Sequence, residues 1–415
     1  LSAILTDAPL PVSKPKSIQI CRIVTPMIDL ETVRAETPGC DKIIHFNNAG
    51  CALSPHPVTD SVISHLQLEQ RIGGYEAATQ AEKQVANFYT QLAQLLNCES
   101  SEIAFMESAT RAWQSALLSL DLKAGDEIIT AGNEYAGNYL SLLALARHRS
   151  IEFRTVALEA DGRIKAEKLQ QQLSTKTRAI FITHIASQRG DIQDIKAIGE
   201  IAQAEGICLL VDACQSVGQL PLDLQEIKCD FLCATGRKYL RGPRGTGFLF
   251  ARGQSTASFI PPVIDLQSAS WDTAESFTVK KNAGRFESFE RNLAGQIGLG
   301  RAVEYANSLG MIHIAARIQG LAERLVAGLQ SLQGVRIHEL SRPRSGIVTF
   351  SKTGAEAAAL QSHLYQRGIN TSISKRNNAR LDLGRETQGD VIRVSMHYYN
   401  SRSEIERFIQ VIDRF

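Results

Sequence analysis

The chain has 415 residues, 44% of them hydrophobic, with 45 basic against 43 acidic side chains and a formal charge of +2. That is length enough for two domains and a large core, and the near balance of charge gives no reason to expect nucleic acid or a membrane surface as partner. No apolar run approaches the roughly 20 residues that span a bilayer.

In chain order, Leu1 to Pro15 lack the charged start and long apolar core of a secretory signal, so a cytoplasmic protein is expected. Leu1 in place of an initiator methionine suggests processing or trimming. Phe46-Asn-Asn-Ala-Gly50 reads as a turn. From about residue 50 to 252 strands and helices alternate. Strands are expected at 103–106, 127–130, 152–156, 179–184, 207–212, 231–234 and 247–251, with amphipathic runs such as 192–205 between them. This predicts an α/β fold: a mostly parallel, doubly wound sheet with helices on both faces.

Several connections carry chemistry. After 103–106, Ala109 and Thr110 stand at a helix start, where free N–H groups could cradle a phosphate, although an ordinary Ser/Thr cap explains the same residues. After 127–130 comes Tyr135, which by itself reads as a core or surface anchor. The run 207–211 ends in Asp212, at the carboxyl end of a strand, where open α/β sheets place ligands. Asp212 could pair with a protonated ring nitrogen or cap the next helix. Lys238 follows 231–234 in a glycine- and proline-rich turn between two apolar stretches. Desolvation there would lower its pKa until the neutral amine is a nucleophile. Alternatively it belongs to a basic surface loop with Arg237, Arg241 and Arg244.

From about Leu293 the pattern changes. Helices at 293–307 and 311–332, strands at 335–339 and 346–350, a helix at 354–367, a strand at 391–395 and a helix at 403–415 predict a smaller C-terminal α+β domain. Arg393 lies on the last strand, where its guanidinium could grip a carboxylate or close a structural salt bridge. The expected division is an N-terminal segment 1–45 packing with the small domain, a large domain 46–292 and the small domain 293–415. The eight cysteines form no Cys-x-x-Cys pair, which points to a reducing compartment and no metal site.

Taken in order, these segments resemble the fold-type I pyridoxal phosphate enzymes of the class V aminotransferase family, from about His45 to the C-terminus. That family includes cysteine desulfurases, C–S lyases and isopenicillin N epimerase-like proteins. The resemblance implies pyridoxal 5'-phosphate as cofactor and a small amino acid as substrate. Asp-Ala-Cys-Gln matches the motif that would set Asp212 on the pyridinium nitrogen and Gln215 on the phenolic oxygen. Thr-Gly-Arg-Lys is similar to Ser-Gly-His-Lys, implying Lys238 as the Schiff-base lysine and Thr235 and Arg237 on the phosphate with Ala109 and Thr110. Tyr135 takes the place of the residue that stacks on the ring. Arg393 matches the arginine that grips the substrate α-carboxylate, and Asn48 and Ala49 match a segment bordering the substrate. Relatives of this kind are homodimers with active sites at the interface. Arg285-Phe-Glu-Ser-Phe-Glu290 matches the segment that crosses over, and Gly73-Gly-Tyr-Glu76 is a second candidate.

Three departures narrow the expected chemistry. The loop Asn370 to Asp382 holds no cysteine where desulfurases carry their nucleophile. Arg285-Phe-Glu continues as Ser-Phe-Glu290 rather than x-Gly-Thr-Pro, and Ser187 replaces an asparagine. The expected activity is a C–S β-lyase acting on cysteine or an S-substituted or sulfoxide derivative, releasing a sulfur product, pyruvate and ammonia. Transamination, epimerisation and a desulfurase-like sulfur donor are the alternatives, and a non-catalytic scaffold is the reading from another class.

Overall fold

The computed structural model describes residues 28–253, 255–339 and 341–415. The larger sheet has seven strands: β1 (Ile103–Met106), β2 (Glu127–Ala131), β3 (Glu152–Val156), β4 (Thr177–Thr183), β5 (Cys208–Asp212), β6 (Phe231–Thr235) and β7 (Gly247–Ala251). Their order is β1-β7-β6-β5-β4-β2-β3. All neighbours are parallel except β7, which runs against both β6 and β1. Every residue of β1, β2, β6 and β7 is buried, as expected of strands covered on both faces. The expected strands are all present, with ends shifted by no more than two residues.

Alternation along the strands builds two cores. Ile129, Ile180, Ile182, Leu209, Val211 and Leu232 face one side, against Phe88 and Leu92 of helix Glu82–Leu96 and Ile198 of helix Ile195–Glu205. Ile128, Phe181, Leu210 and Phe231 face the other, against Trp113 of helix Ala109–Ser119 and Leu142 of helix Ala136–Arg149. Trp113 packs edge-on against Phe181, with centroids 5.3 Å apart, a pairing that adds about 1 kcal/mol to area burial.

The smaller sheet is antiparallel: β8 (Val335–Ile337), β9 (Ile347–Lys352), β10 (Ser372–Ser374) and β11 (Val391–Ser395), in the order β8-β9-β11-β10. Its core includes Leu325, Phe350, Leu364 and Phe408. The stretch before the larger sheet joins the smaller one here: Phe46 packs edge-on against Phe408 at 5.6 Å, and Ile44 pairs with Ile369.

Helix Leu293–Leu309, where the small domain is expected to begin, serves two cores: Leu299 and Val303 pack into one of the larger sheet, and Ala306 joins a cluster with Ile347 of β9 and Tyr398. Of the segment 1–45, residues 1–27 lie outside those described. A hairpin, Ala269–Thr273 with Ser276–Val279, went unread because its residues are mostly exposed and lack alternation. Among the described residues no helix is long and apolar enough to cross a membrane.

Candidate active site

The site lies at the carboxyl ends of β1, β2, β4, β5 and β6, where the connections leave an open cavity. Ser108, Ala109, Thr110, Tyr135, Asn138, Thr183, Ile185, Ser187, Asp212, Cys214, Gln215, Thr235, Arg237 and Lys238 line it. Residues expected from four separate connections thus meet in one place.

One end is a helix start. Ser108 caps helix Ala109–Ser119 by accepting from Arg111 N–H, which leaves Ala109 and Thr110 facing the cavity without intrahelical acceptors. Gly247 lets β7 pass beneath: a Cβ there would lie 2.6 Å from the Ala234 carbonyl and 3.1 Å from Ala109 N. Arg237 Nη1 donates to Thr235 Oγ1 at 2.9 Å, so the guanidinium and hydroxyl form a joint polar corner. A cation, a hydroxyl and a helix start together suit a phosphate.

Lys238 follows in a turn held by Gly236 N–H to the Thr246 carbonyl (2.9 Å) and Gly242 N–H to the Gly236 carbonyl (2.8 Å). It is buried, and burial pushes its ammonium below the usual lysine range, opposed by Cys214 and Asp212 and aided by Arg237 and Arg393. It does not belong to a basic surface loop. Arg241, grouped with it in that loop, is a structural anchor instead. Its guanidinium is buried, donates to the Leu53 carbonyl (2.7 Å), Tyr398 hydroxyl (2.8 Å) and Thr37 hydroxyl (2.5 Å), and lies 4.6 Å from the Tyr399 ring centroid. Arg244 is exposed.

Asp212, at the end of β5, accepts from Cys214 N–H on Oδ1 (2.9 Å) and from Asn138 Nδ2 on Oδ2 (2.8 Å). Tyr135 is half-exposed at the start of helix Ala136–Arg149. Gly137 gives its ring room, since a Cβ would stand 2.6 Å from Tyr135 Cε1. Gln215 donates to the Ala49 carbonyl at 3.1 Å, while its buried Oε1 has no partner. An unpaired buried oxygen on a cavity-lining residue fits a site that expects a polar guest.

Arg393, on β11 of the smaller sheet, is buried outside the cavity lining and donates through Nη1 at 2.6 Å to the carbonyl of Ser187, which does line it. Its Nε has no partner. Burial lowers it to about 10, so it stays charged at neutral pH. No carboxylate side chain pairs with it among the described residues, so the salt-bridge alternative fails.

Asn48 and Ala49 are not brought to the cavity as expected. The Asn48 amide donates to the His45 (3.1 Å) and Ser395 (2.7 Å) carbonyls and accepts from the Tyr399 hydroxyl. It latches the stretch that begins at Ile44 to β11. Ala49 acts through its backbone, as acceptor for Gln215 and, by N–H, donor to Ser395 Oγ at 2.9 Å. Glu134 and Asn138 were missed; their i,i+4 spacing beside Tyr135 was the available signal.

The family model for class-V aminotransferases matches residues 44–408. A probable cysteine desulfurase from Methanothermobacter thermautotrophicus is 26% identical, covering 91% of this chain and 95% of its own. A cysteine desulfurase from Yersinia pseudotuberculosis is 28% identical, with 93% and 98% covered. Among solved structures, a cysteine desulfurase from Thermococcus onnurineus superposes with a TM-score of 0.87 at 23% identity, covering 94% of this chain and 98% of its own. The cystine C–S lyase C-DES, solved with its reaction product cysteine persulfide, gives 0.83 at 23% identity over 91% and 99%.

Proposed function

Because the chain belongs to the class-V aminotransferase family, we propose that it is a pyridoxal phosphate-dependent C–S lyase acting on cysteine or an S-substituted cysteine. The observation that carries this reading is Lys238, buried in one cavity with Asp212 and a free helix start. In this reading Ala109, Thr110, Thr235 and Arg237 hold the phosphate, and Tyr135 covers the ring. Gln215 stands by the phenolic oxygen, and Asp212 keeps the proton on the ring nitrogen. The cofactor, when bound, supplies an electron sink for the charge left at Cα. Arg393 orients the substrate by its α-carboxylate, and Lys238, as general base, takes the Cα proton. Loss of the Cβ sulfur and addition of water would give pyruvate, ammonia and the sulfur product.

The relatives' names keep sulfur donation as the second reading. The loop matching the desulfurase cysteine favours the lyase: it forms β10 and a short turn, Arg376–Asn378, without a thiol. Cys214 is the cysteine that lines the cavity among the described residues. Replacing the cysteines one at a time, Cys214 and Cys51 first, is therefore expected to leave appreciable activity. A single indispensable cysteine carrying a persulfide would restore the desulfurase reading. Incubation with cysteine, cystine and cysteine sulfoxides, reading pyruvate, sulfide and keto acid separately, tests the reaction itself: keto acid retaining the substrate side chain would indicate transamination.

We also propose a cytoplasmic homodimer, consistent with the free thiols. Both segments expected at its interface supply exposed groups to one groove: Gly74 and Tyr75 from one, Phe289 and Glu290 from the other. The first half of the second segment is internal instead. Arg285 donates to the Thr256 carbonyl (2.6 Å), and Glu287 accepts from Phe105 N–H (2.7 Å). Replacing both Tyr75 and Phe289 by serine should shift sedimentation toward monomer and weaken cofactor retention. A wild-type monomer with full activity and bound cofactor would refute the assembly.

A further inference from the structure

Behind the cavity, the connection after β2 buries a second carboxylate. Glu134 is enclosed, and its Oε1 accepts three hydrogen bonds: from Tyr135 N–H (2.9 Å), Asn138 Nδ2 (2.9 Å) and Thr183 Oγ1 (2.5 Å). Oε2 accepts from Thr130 Oγ1 at 3.1 Å. Asn138 shares one amide nitrogen between the two acids, donating to Glu134 Oε1 and, at 2.8 Å, to Asp212 Oδ2. The reading above assigns Glu134 nothing, although it touches the backbone of the ring's proposed cover and, through one side chain, the proposed partner of the ring nitrogen.

We infer that Glu134 is a positioning residue for the cofactor ring, acting on Asp212 through the Asn138 amide and on Tyr135 through its N–H. An asparagine amide has two N–H groups, and here each is claimed by a carboxylate, which leaves it one orientation. That orientation fixes Asp212 Oδ2, while Cys214 N–H fixes Oδ1, so the carboxylate cannot rotate. One oxygen of Glu134 thereby sets both the polar contact at the ring's edge and the aromatic contact on its face.

The acceptor matters here more than the charge. Burial and the neighbouring Asp212 push the Glu134 carboxyl up to about 7, so a proton is readily held near neutral pH. With that proton on Oε2, Oε1 still accepts all three donors. Glutamine reproduces this form, its Nε2 taking the place of Oε2 opposite Thr130.

The inference rests on the proposal that a pyridoxal ring binds against Asp212. Its test loads wild type, Glu134→Gln, Glu134→Ala, Asn138→Ala and the Glu134→Ala/Asn138→Ala double variant with pyridoxal phosphate. The readouts are the visible spectrum, the ¹⁵N shift of ring-labelled cofactor, and kcat and KM apart. Glu134→Ala and Asn138→Ala should move the ring ¹⁵N shift in the same direction and lower kcat about tenfold or more, with KM within about twofold. The double variant should do little further, because the two act in series. Glu134→Gln should keep the wild-type shift and most of kcat. Glu134→Ala with a wild-type ¹⁵N shift and kcat, additive effects in the double variant, or Glu134→Gln as impaired as Glu134→Ala would each overturn the inference. Circular dichroism of each variant separates these from misfolding, against which Glu134→Gln, retaining every hydrogen-bond partner, is the safeguard. If wild type itself takes up no cofactor, the underlying proposal fails and not this one.

Discussion

Lys238→Ala is expected to remove the visible absorption band of bound cofactor and to abolish turnover. Loss of a positioned base alone costs on the order of 10²–10⁴ in rate, and Lys238 would also supply the covalent attachment, so the fall should exceed that range. Burial favours the neutral amine at a lower pH than a surface lysine allows, which suits attachment near neutrality. Borohydride reduction of the loaded wild type followed by peptide mapping should place the adduct on Lys238. An adduct on another lysine, such as Lys281, would end the assignment.

Arg393→Ala should lower kcat/KM by about 2–5 kcal/mol, roughly thirtyfold to several thousandfold, the range for truncating one partner of a buried, hydrogen-bonded charge pair. Arg393→Lys should recover only part, since an ammonium cannot bind two carboxylate oxygens as a fork. Comparing an amino acid with its amide isolates the contact. Wild type should prefer the free acid strongly, and Arg393→Ala should lose most of that preference. A variant that keeps the wild-type ratio would remove Arg393 from the substrate.

The larger sheet was legible because its strands are apolar runs that end in turn chemistry, and those ends carry Asp212, Thr235 and Lys238. Short motifs beside strand ends reported position as well as chemistry. What depended on distant packing was not legible. Asn48 was expected at the substrate because its motif resembles a family segment bordering it, yet its partners His45, Ser395 and Tyr399 lie mostly at the other end of the chain. Arg241 read as a free cation in a basic run, and only the fold brings Tyr398 and Tyr399 around it. Glu134 was hidden for the same reason: its spacing to Asn138 was readable, but nothing in a loop acid signals that Thr183, from another strand, will enclose it.

The arrangement of β1 sets an order of events in folding. Its ladder partner is β7, with Ile103 opposite Phe250 and Met106 opposite Gly247, and five strands intervene in the chain. Contacts so far apart carry a large loop-closure entropy and form late. A nascent chain ending before Gly247 can already have Asp212 on its strand and Trp113 of helix Ala109–Ser119 against Phe181, yet β1, which leads into that helix, has no ladder partner. The wall that holds Ala109 and Thr110 is thus expected to close last, and pulse-labelled amide exchange at Ala104, whose neighbour Phe105 points its N–H away to Glu287, would time that closure.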